Sequence, residues 1–167
     1  MTEEKNLQQA QQVHAALCSL FAEGGYKYRK DDEQMKIGST VEGKNGTYSF
    51  YFQVIPQNAQ VHLILFMPFE VPQEKTDEYS VVITALNSLL AAGCFALDAQ
   101  RKLAFFRVTN SFYDSILDRE VLVQMLLTSG GTVDMVADKL GQFVSGKLDM
   151  EQLLSVLEER YGGRSDD

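Results

Sequence analysis

Residues 36–67 read KIGSTVEGKNGTYSFYFQVIPQNAQVHLILFM, and the alternation within them decides the fold. Apolar side chains recur at every second position in three runs, the period of half-buried strands. Between the first two runs stands Lys44-Asn45-Gly46-Thr47, whose Asn-Gly pair suits a type I′ hairpin turn, since both central residues need φ > 0. Pairing Lys44 with Thr47 sets Val41 against Phe50, Ser39 against Phe52 and Ile37 against Val54. A second turn near Gln57-Asn58-Ala59-Gln60 brings Val54 to Leu63, Phe52 to Leu65 and Phe50 to Met67. Both registers gather the apolar set on one face, as pairing must when one face is buried. Pro56 falls at a strand end, where its missing N–H costs least. The opposite face mixes Tyr51, Ile55, His62, Ile64 and Phe66 with Lys36, Thr40, Ser49 and Gln53, and a face of that composition calls for a cover.

Helical periods flank this meander. From Glu4 to Glu23, Ala10, Val13, Leu17, Leu20 and Phe21 form one stripe, and Gly24-Gly25 supplies a stop. Residues 26–34 are polar and read as a connection or the ragged start of a strand. Pro68 and Pro72 bracket a crossing into a helix over roughly residues 73–92. Its apolar residues, led by Tyr79, Val82, Leu86 and Leu89, fill about half the wheel, wider than the ~100° stripe of a surface helix. The other side holds Ser80, Thr84, Asn87, Ser88 and Ala91, and no charge occurs from Tyr79 to Leu97. A helix without charge on any side is expected to be shielded by more than its own sheet.

A second hairpin follows, with Phe95 and Leu97 facing Phe105 and Leu103 and Asp98 opposite Lys102 across a turn at Ala99-Gln100-Arg101. From Leu122 to Val144 apolar residues keep a spacing of three and four through Gly130-Gly131, where two mid-helix glycines costing about 2 kcal/mol predict a bend or brief break. A last helix starts at Asp149 with Gln152 in capping-box position, and Gly162 to Asp167 should fray.

Composition excludes several classes. The chain has 167 residues, 45% hydrophobic and 23% charged, which is globular rather than disordered. Fifteen Lys and Arg against 23 Asp and Glu leave a net charge of −8, unsuited to neutralising phosphate on nucleic acid or an anionic membrane. Ser80, Thr84, Asn87 and Ser88 interrupt the uncharged stretch, so it is not read as a membrane span. MTEEKN shows no basic region leading into an apolar core, and two cysteines suit a reducing cytosol.

No catalytic constellation emerges. His14 and Cys18 lie four apart on the first helix and flank its buried stripe, which makes them structural. His62 is a packed or interface histidine, and with two histidines and no CxxC a zinc site lacks ligands. Asp31, Asp32 and Glu33 do not alternate as a calcium loop requires. Asp114, Asp118 and Glu120 suit the positive end of a helix dipole. Gly130-Gly131-Thr132 has neither a preceding strand nor a following Lys-Ser/Thr, so it is no phosphate loop. Ser129 lacks a nucleophile elbow, and the Asn45-Gly46-Thr47 sequon is explained by the hairpin.

Leu86-Asn87-Ser88-Leu89, Gly93-Cys94-Phe95-Ala96-Leu97-Asp98 and Lys102-Leu103-Ala104-Phe105-Phe106-Arg107, in the order helix, meander, helix, hairpin, helix, resemble the YbjN-like bacterial family. That family shares its fold with class I type III secretion chaperones, and the resemblance covers roughly residues 5–145. It implies a small, often acidic, often homodimeric protein without catalytic residues. Secretion chaperones hold extended client segments along apolar patches, whereas YbjN-like proteins are described as sensory-transduction regulators. The added helix after Asp149 and the Gly130-Gly131 interruption favour the YbjN-like side.

The expectation is one α+β domain over residues 1–167, its core at about 5–145 and an added helix at about 149–161. A twisted antiparallel sheet of about five strands should carry helices on one face. The expected function is non-enzymatic protein binding of regulatory or chaperone type; the alternative is a module sensing a small molecule between sheet and C-terminal helices. A protein or peptide client is assigned to Tyr51, Ile55, Ile64 and Phe66, and a homodimer contact to Ser80, Thr84, Asn87, Ser88 and Ala91. No metal, cofactor, nucleic acid or membrane partner is expected, and the location is the cytoplasm.

Overall fold

Helix α1 (Thr2–Glu23) leads into strands β1 (Arg29–Asp31), β2 (Lys36–Glu42), β3 (Thr47–Ile55) and β4 (Gln60–Glu70). Helix α2 (Thr76–Ser88), strands β5 (Cys94–Asp98) and β6 (Leu103–Ser111), and helices α3 (Arg119–Val144) and α4 (Met150–Tyr161) complete the chain. This computed structural model describes residues 2–161, so the fraying expected from Gly162 to Asp167 lies outside the described residues. The sheet is antiparallel throughout, in the order β1-β2-β3-β4-β6-β5. It has six strands rather than five because Arg29–Asp31 pairs with β2. That edge strand is three residues long and wholly charged, a form that discourages further pairing.

Helix α1 ends as the glycine pair predicts. The Tyr26 N–H reaches the Phe21 carbonyl at 3.3 Å, Gly25 takes φ +67°, and the Phe21 and Tyr26 rings meet at 5.9 Å. These are the hydrogen bond, left-handed residue and apolar contact of a Schellman stop.

The meander has the expected faces but not the expected partners. Glu42 pairs with Thr47, leaving a four-residue loop from Gly43 to Gly46, so Ile37 opposes Phe52 and Val41 opposes Tyr48. The loop amides of Lys44 and Asn45 donate to the Asp134 carboxylate of α3 instead of lying free around a two-residue turn. At the next corner a 3-10 turn, Pro56–Asn58, and left-handed Ala59 set Val54 against Val61 and Phe52 against Leu63. Each register differs from expectation by two residues, and an even shift leaves every side chain on its face.

The β5–β6 hairpin differs by one. Asp98 pairs with Leu103 across the four-residue loop Ala99–Lys102, in which Lys102 takes φ +58°. Phe95 therefore opposes Phe106, not Phe105, and the odd slip turns Phe105 to the other face.

All four helices pack on one face of the sheet. Ile37, Phe50, Phe52, Leu63, Leu65, Phe95 and Phe106 form one continuous core with Leu17 and Phe21 of α1, Tyr79 and Leu86 of α2, Leu122, Leu140 and Phe143 of α3, and Leu153 and Leu157 of α4. Helix α2 is shorter than its 73–92 apolar period, because a 3-10 turn at Gln73–Lys75 precedes it. Helix α3 runs unbroken through Gly130-Gly131, where a bend or brief break was expected. At Gly130 the helix lies against Val41, where an added Cβ would come within 3.8 Å of a valine methyl, so tertiary packing supports the backbone at this point. The capping box of α4 is present: the Gln152 N–H donates to Asp149 Oδ1 at 2.8 Å and the Asp149 N–H to Gln152 Oε1 at 3.0 Å.

Candidate binding face

Among the described residues the outer face of the sheet carries no helix, and none of its side chains joins the helix-packed core. Strand alternation aims Lys36 from β2, Tyr51 and Gln53 from β3, and His62, Ile64 and Phe66 from β4 to this side. Registers with β6 place Phe105 beside Phe66 and Arg107 beside Ile64. Together with Leu103, Asp98 and Arg101 they line a shallow depression of about 380 Å³.

Its floor is apolar and its rim is cationic. The Tyr51 and Phe66 rings lie 5.9 Å apart, and Ile64 beneath them is 7% exposed although no helix covers it. The Lys36 ammonium sits 3.7 Å from the centroid of the Tyr51 ring, a cation–π contact. Lys36, Arg101 and Arg107 line the depression with Asp98 as the single carboxylate, the reverse of the balance in a chain of net charge −8. Burial and the nearby Arg107 push the His62 imidazole below its ordinary value, and Gln60 Oε1 lies 3.2 Å away. Such a surface can hold an apolar side chain flanked by carboxylates.

Three of the four residues assigned to a client, Tyr51, Ile64 and Phe66, stand together here. Ile55 does not join them, because it ends β3 opposite Gln60, beyond the depression. Phe105, Arg107 and Arg101 were missed in the sequence. Phe105 was hidden by the one-residue slip, and Lys102 in left-handed backbone is the local cause of that slip.

The helix stretch assigned to a dimer contact divides. Asn87 is committed within the chain, donating Nδ2–H to the Phe95 carbonyl at 2.9 Å and accepting the Phe95 N–H at 2.7 Å. Ser80, Thr84, Ser88 and Ala91 are exposed in the single chain, so the expected shield over this face is not supplied by the described residues. Their neutrality has a local account: Ser80, Thr84 and Ser88 donate to the carbonyls of Thr76, Ser80 and Ala85 at 2.7–2.8 Å. Among the described residues no helix is long and apolar enough to cross a membrane.

One antiparallel sheet backed on a single side by four helices, its other face open among the described residues, defines the architecture as α+β. The chain belongs to the YbjN family, described as "Putative bacterial sensory transduction regulator", whose model matches residues 14–142. Among solved structures it is similar to "Crystal structure of YbjN, a putative transcription regulator from E. coli", with a TM-score of 0.57 and 12% identity over 74% of this chain and 87% of that one. A second structure, "Structure of the HopA1-SchA Chaperone-Effector Complex", aligns at a TM-score of 0.39 and 15% identity over 79% of this chain and 89% of that one. No curated protein matches the sequence.

Proposed function

We propose that this chain is a single-domain, non-enzymatic binding protein of regulatory or chaperone type, acting in the cytoplasm, and that its outer sheet face docks a protein segment. The observation that carries this reading is the depression over Tyr51, Ile64, Phe66 and Phe105, rimmed by Lys36, Arg101 and Arg107 in an otherwise acidic molecule. The occupant is an acidic peptide segment with an aromatic or aliphatic anchor, since carboxylates meet the rim while the anchor meets the floor. A photo-crosslinking residue placed at Phe105, with one at Ile116, 72% exposed and outside both proposed contacts, as reference, tests this in the native cell. Adducts formed from position 105, mapping to acidic segments and lost in Arg107→Glu, support it. Equal labelling from both positions, or adducts indifferent to Arg107→Glu, overturns it.

The same reading includes self-association through Ser80, Thr84, Ser88 and Ala91. Val81, 53% exposed in the midst of this uncharged strip, favours it, because an exposed β-branched aliphatic on an uncharged helix face gains from being covered. Thr84→Glu should lower the mass in solution if the strip pairs two copies; an unchanged mass removes it from any interface.

A second reading, small-molecule sensing, has one observation in its favour. Ser129 is fully buried, its hydroxyl unpartnered among the described residues, beside a cleft of about 430 Å³ between α3 and β6 lined by Phe106, Val108 and Met125. A ligand bringing an acceptor to Ser129 Oγ would satisfy it.

A further inference from the structure

We propose that His14, Cys18 and Asp32 form a binding site for a zinc-like divalent cation that ties helix α1 to the turn between β1 and β2. Helix α1 stacks His14 over Cys18 one turn apart, with Nε2 3.9 Å from Sγ. The turn after β1 brings in Asp32, and the three donor atoms all lie within 4.8 Å of one another. Around a tetrahedral zinc with bonds of about 2.0–2.3 Å, donors stand about 3–4 Å apart, so only a small closure is needed. Asp32, exposed on its turn, is the ligand placed to make that closure.

The donor set selects the ion. Imidazole nitrogen, thiolate sulfur and one carboxylate oxygen are zinc ligands, whereas calcium and magnesium take oxygens throughout. A thiolate and a carboxylate carry two negative charges, which neutralise a divalent cation, and water completes the fourth position. The nearby cation is Lys30, whose ammonium pairs with Asp32 at 2.9 Å. Both side chains are more than half exposed, so this ion pair holds Asp32 only weakly against a metal. Burial raises the Cys18 thiol and lowers the His14 imidazole, while Asp32 and Lys30 act on both with opposite sign. Zinc takes the cysteine as thiolate, so binding releases the thiol proton and affinity should rise with pH.

Cobalt(II) added to the full chain is the probe, because thiolate ligation produces a sulfur-to-cobalt charge-transfer band and tetrahedral geometry intensifies the visible bands. One equivalent should saturate the signal, and zinc should displace it. The charge-transfer band should vanish in Cys18→Ser, persist in Cys94→Ser, and weaken in His14→Gln and Asp32→Asn. Asp32 is exposed, so that last variant keeps the fold and isolates the contribution of the turn. No band in the unaltered chain, a band surviving Cys18→Ser, or one indifferent to Asp32→Asn would each overturn the site.

Discussion

Tyr48 on β3 donates its phenolic proton to Asp134 Oδ1 on α3 at 2.8 Å, across 86 residues of sequence. The same carboxylate accepts the Lys44 N–H at 2.9 Å and the Asn45 N–H at 2.8 Å, and the Asn45 side chain donates to the Asp134 carbonyl at 2.9 Å. One acid, 9% exposed, thus fastens the first hairpin loop to the longest helix. Its fit is close: a Cβ on Gly43 would stand 2.2 Å from the carboxylate.

Replacing Asp134 by Ala should cost about 2–3 kcal/mol, since three donors, including the buried Tyr48 hydroxyl, lose a charged acceptor. Urea unfolding checks this, with a lower midpoint and an unchanged slope. A loss below about 0.5 kcal/mol, the scale of an ordinary surface change, would mean the clasp contributes nothing.

Acid should destabilise the fold through three groups acting in one direction. Burial pushes the Asp134 carboxyl up, but the Asn45 N–H, the Tyr48 hydroxyl and the Lys44 N–H outweigh it and hold the group below its ordinary value. His14 and His62 are lowered, in both cases mainly by burial. For each, the unfolded chain binds a proton that the folded chain does not, so stability rises with pH across the interval between the two values. The histidine contribution should be lost as pH falls below about 6.5 and the Asp134 contribution below about 4. Stability measured against pH should fall in these two steps, and Asp134→Asn should flatten only the lower one.

Tyr79→Phe should stabilise the protein by about 1 kcal/mol, because an unpaired buried hydroxyl carries a desolvation cost and phenylalanine removes it. Tyr79 is fully buried, its ring packs edge-on against Phe69 at 6.3 Å, and its hydroxyl has no partner among the described residues. A lower melting temperature in this variant would show that the hydroxyl is satisfied in solution.

Asn87→Ala should loosen the β5 edge. The side chain occupies both main-chain groups of Phe95 that point away from β6, holding the sheet edge to α2. Losing two such bonds should cost about 1–3 kcal/mol. Hydrogen exchange at the Phe95 amide should accelerate while amides of β3 are unaffected; protection retained at Phe95 contradicts the pairing.

Periodicity and end signals along the chain were sufficient for the order of elements apart from β1, the inner faces of the meander, the stop after Glu23 and the cap before α4. These rest on interactions within a few residues, or on a parity that an error of two leaves intact. Loop closure is different. Asp134 draws two amides of the first loop toward α3, and Lys102 enters left-handed backbone, so partners shifted by two in the meander and by one in the second hairpin. The single odd step moved Phe105 onto the open face, and with it half of the candidate site became visible only in three dimensions. On the uncharged helix the hydroxyls are satisfied by their own backbone, so missing charge alone does not identify what covers it. His14 and Cys18 could be paired from helical spacing, but Asp32 joined them only through the folding of a turn onto that helix. Contacts of this kind join residues far apart along the chain, and no local pattern records which loops will meet.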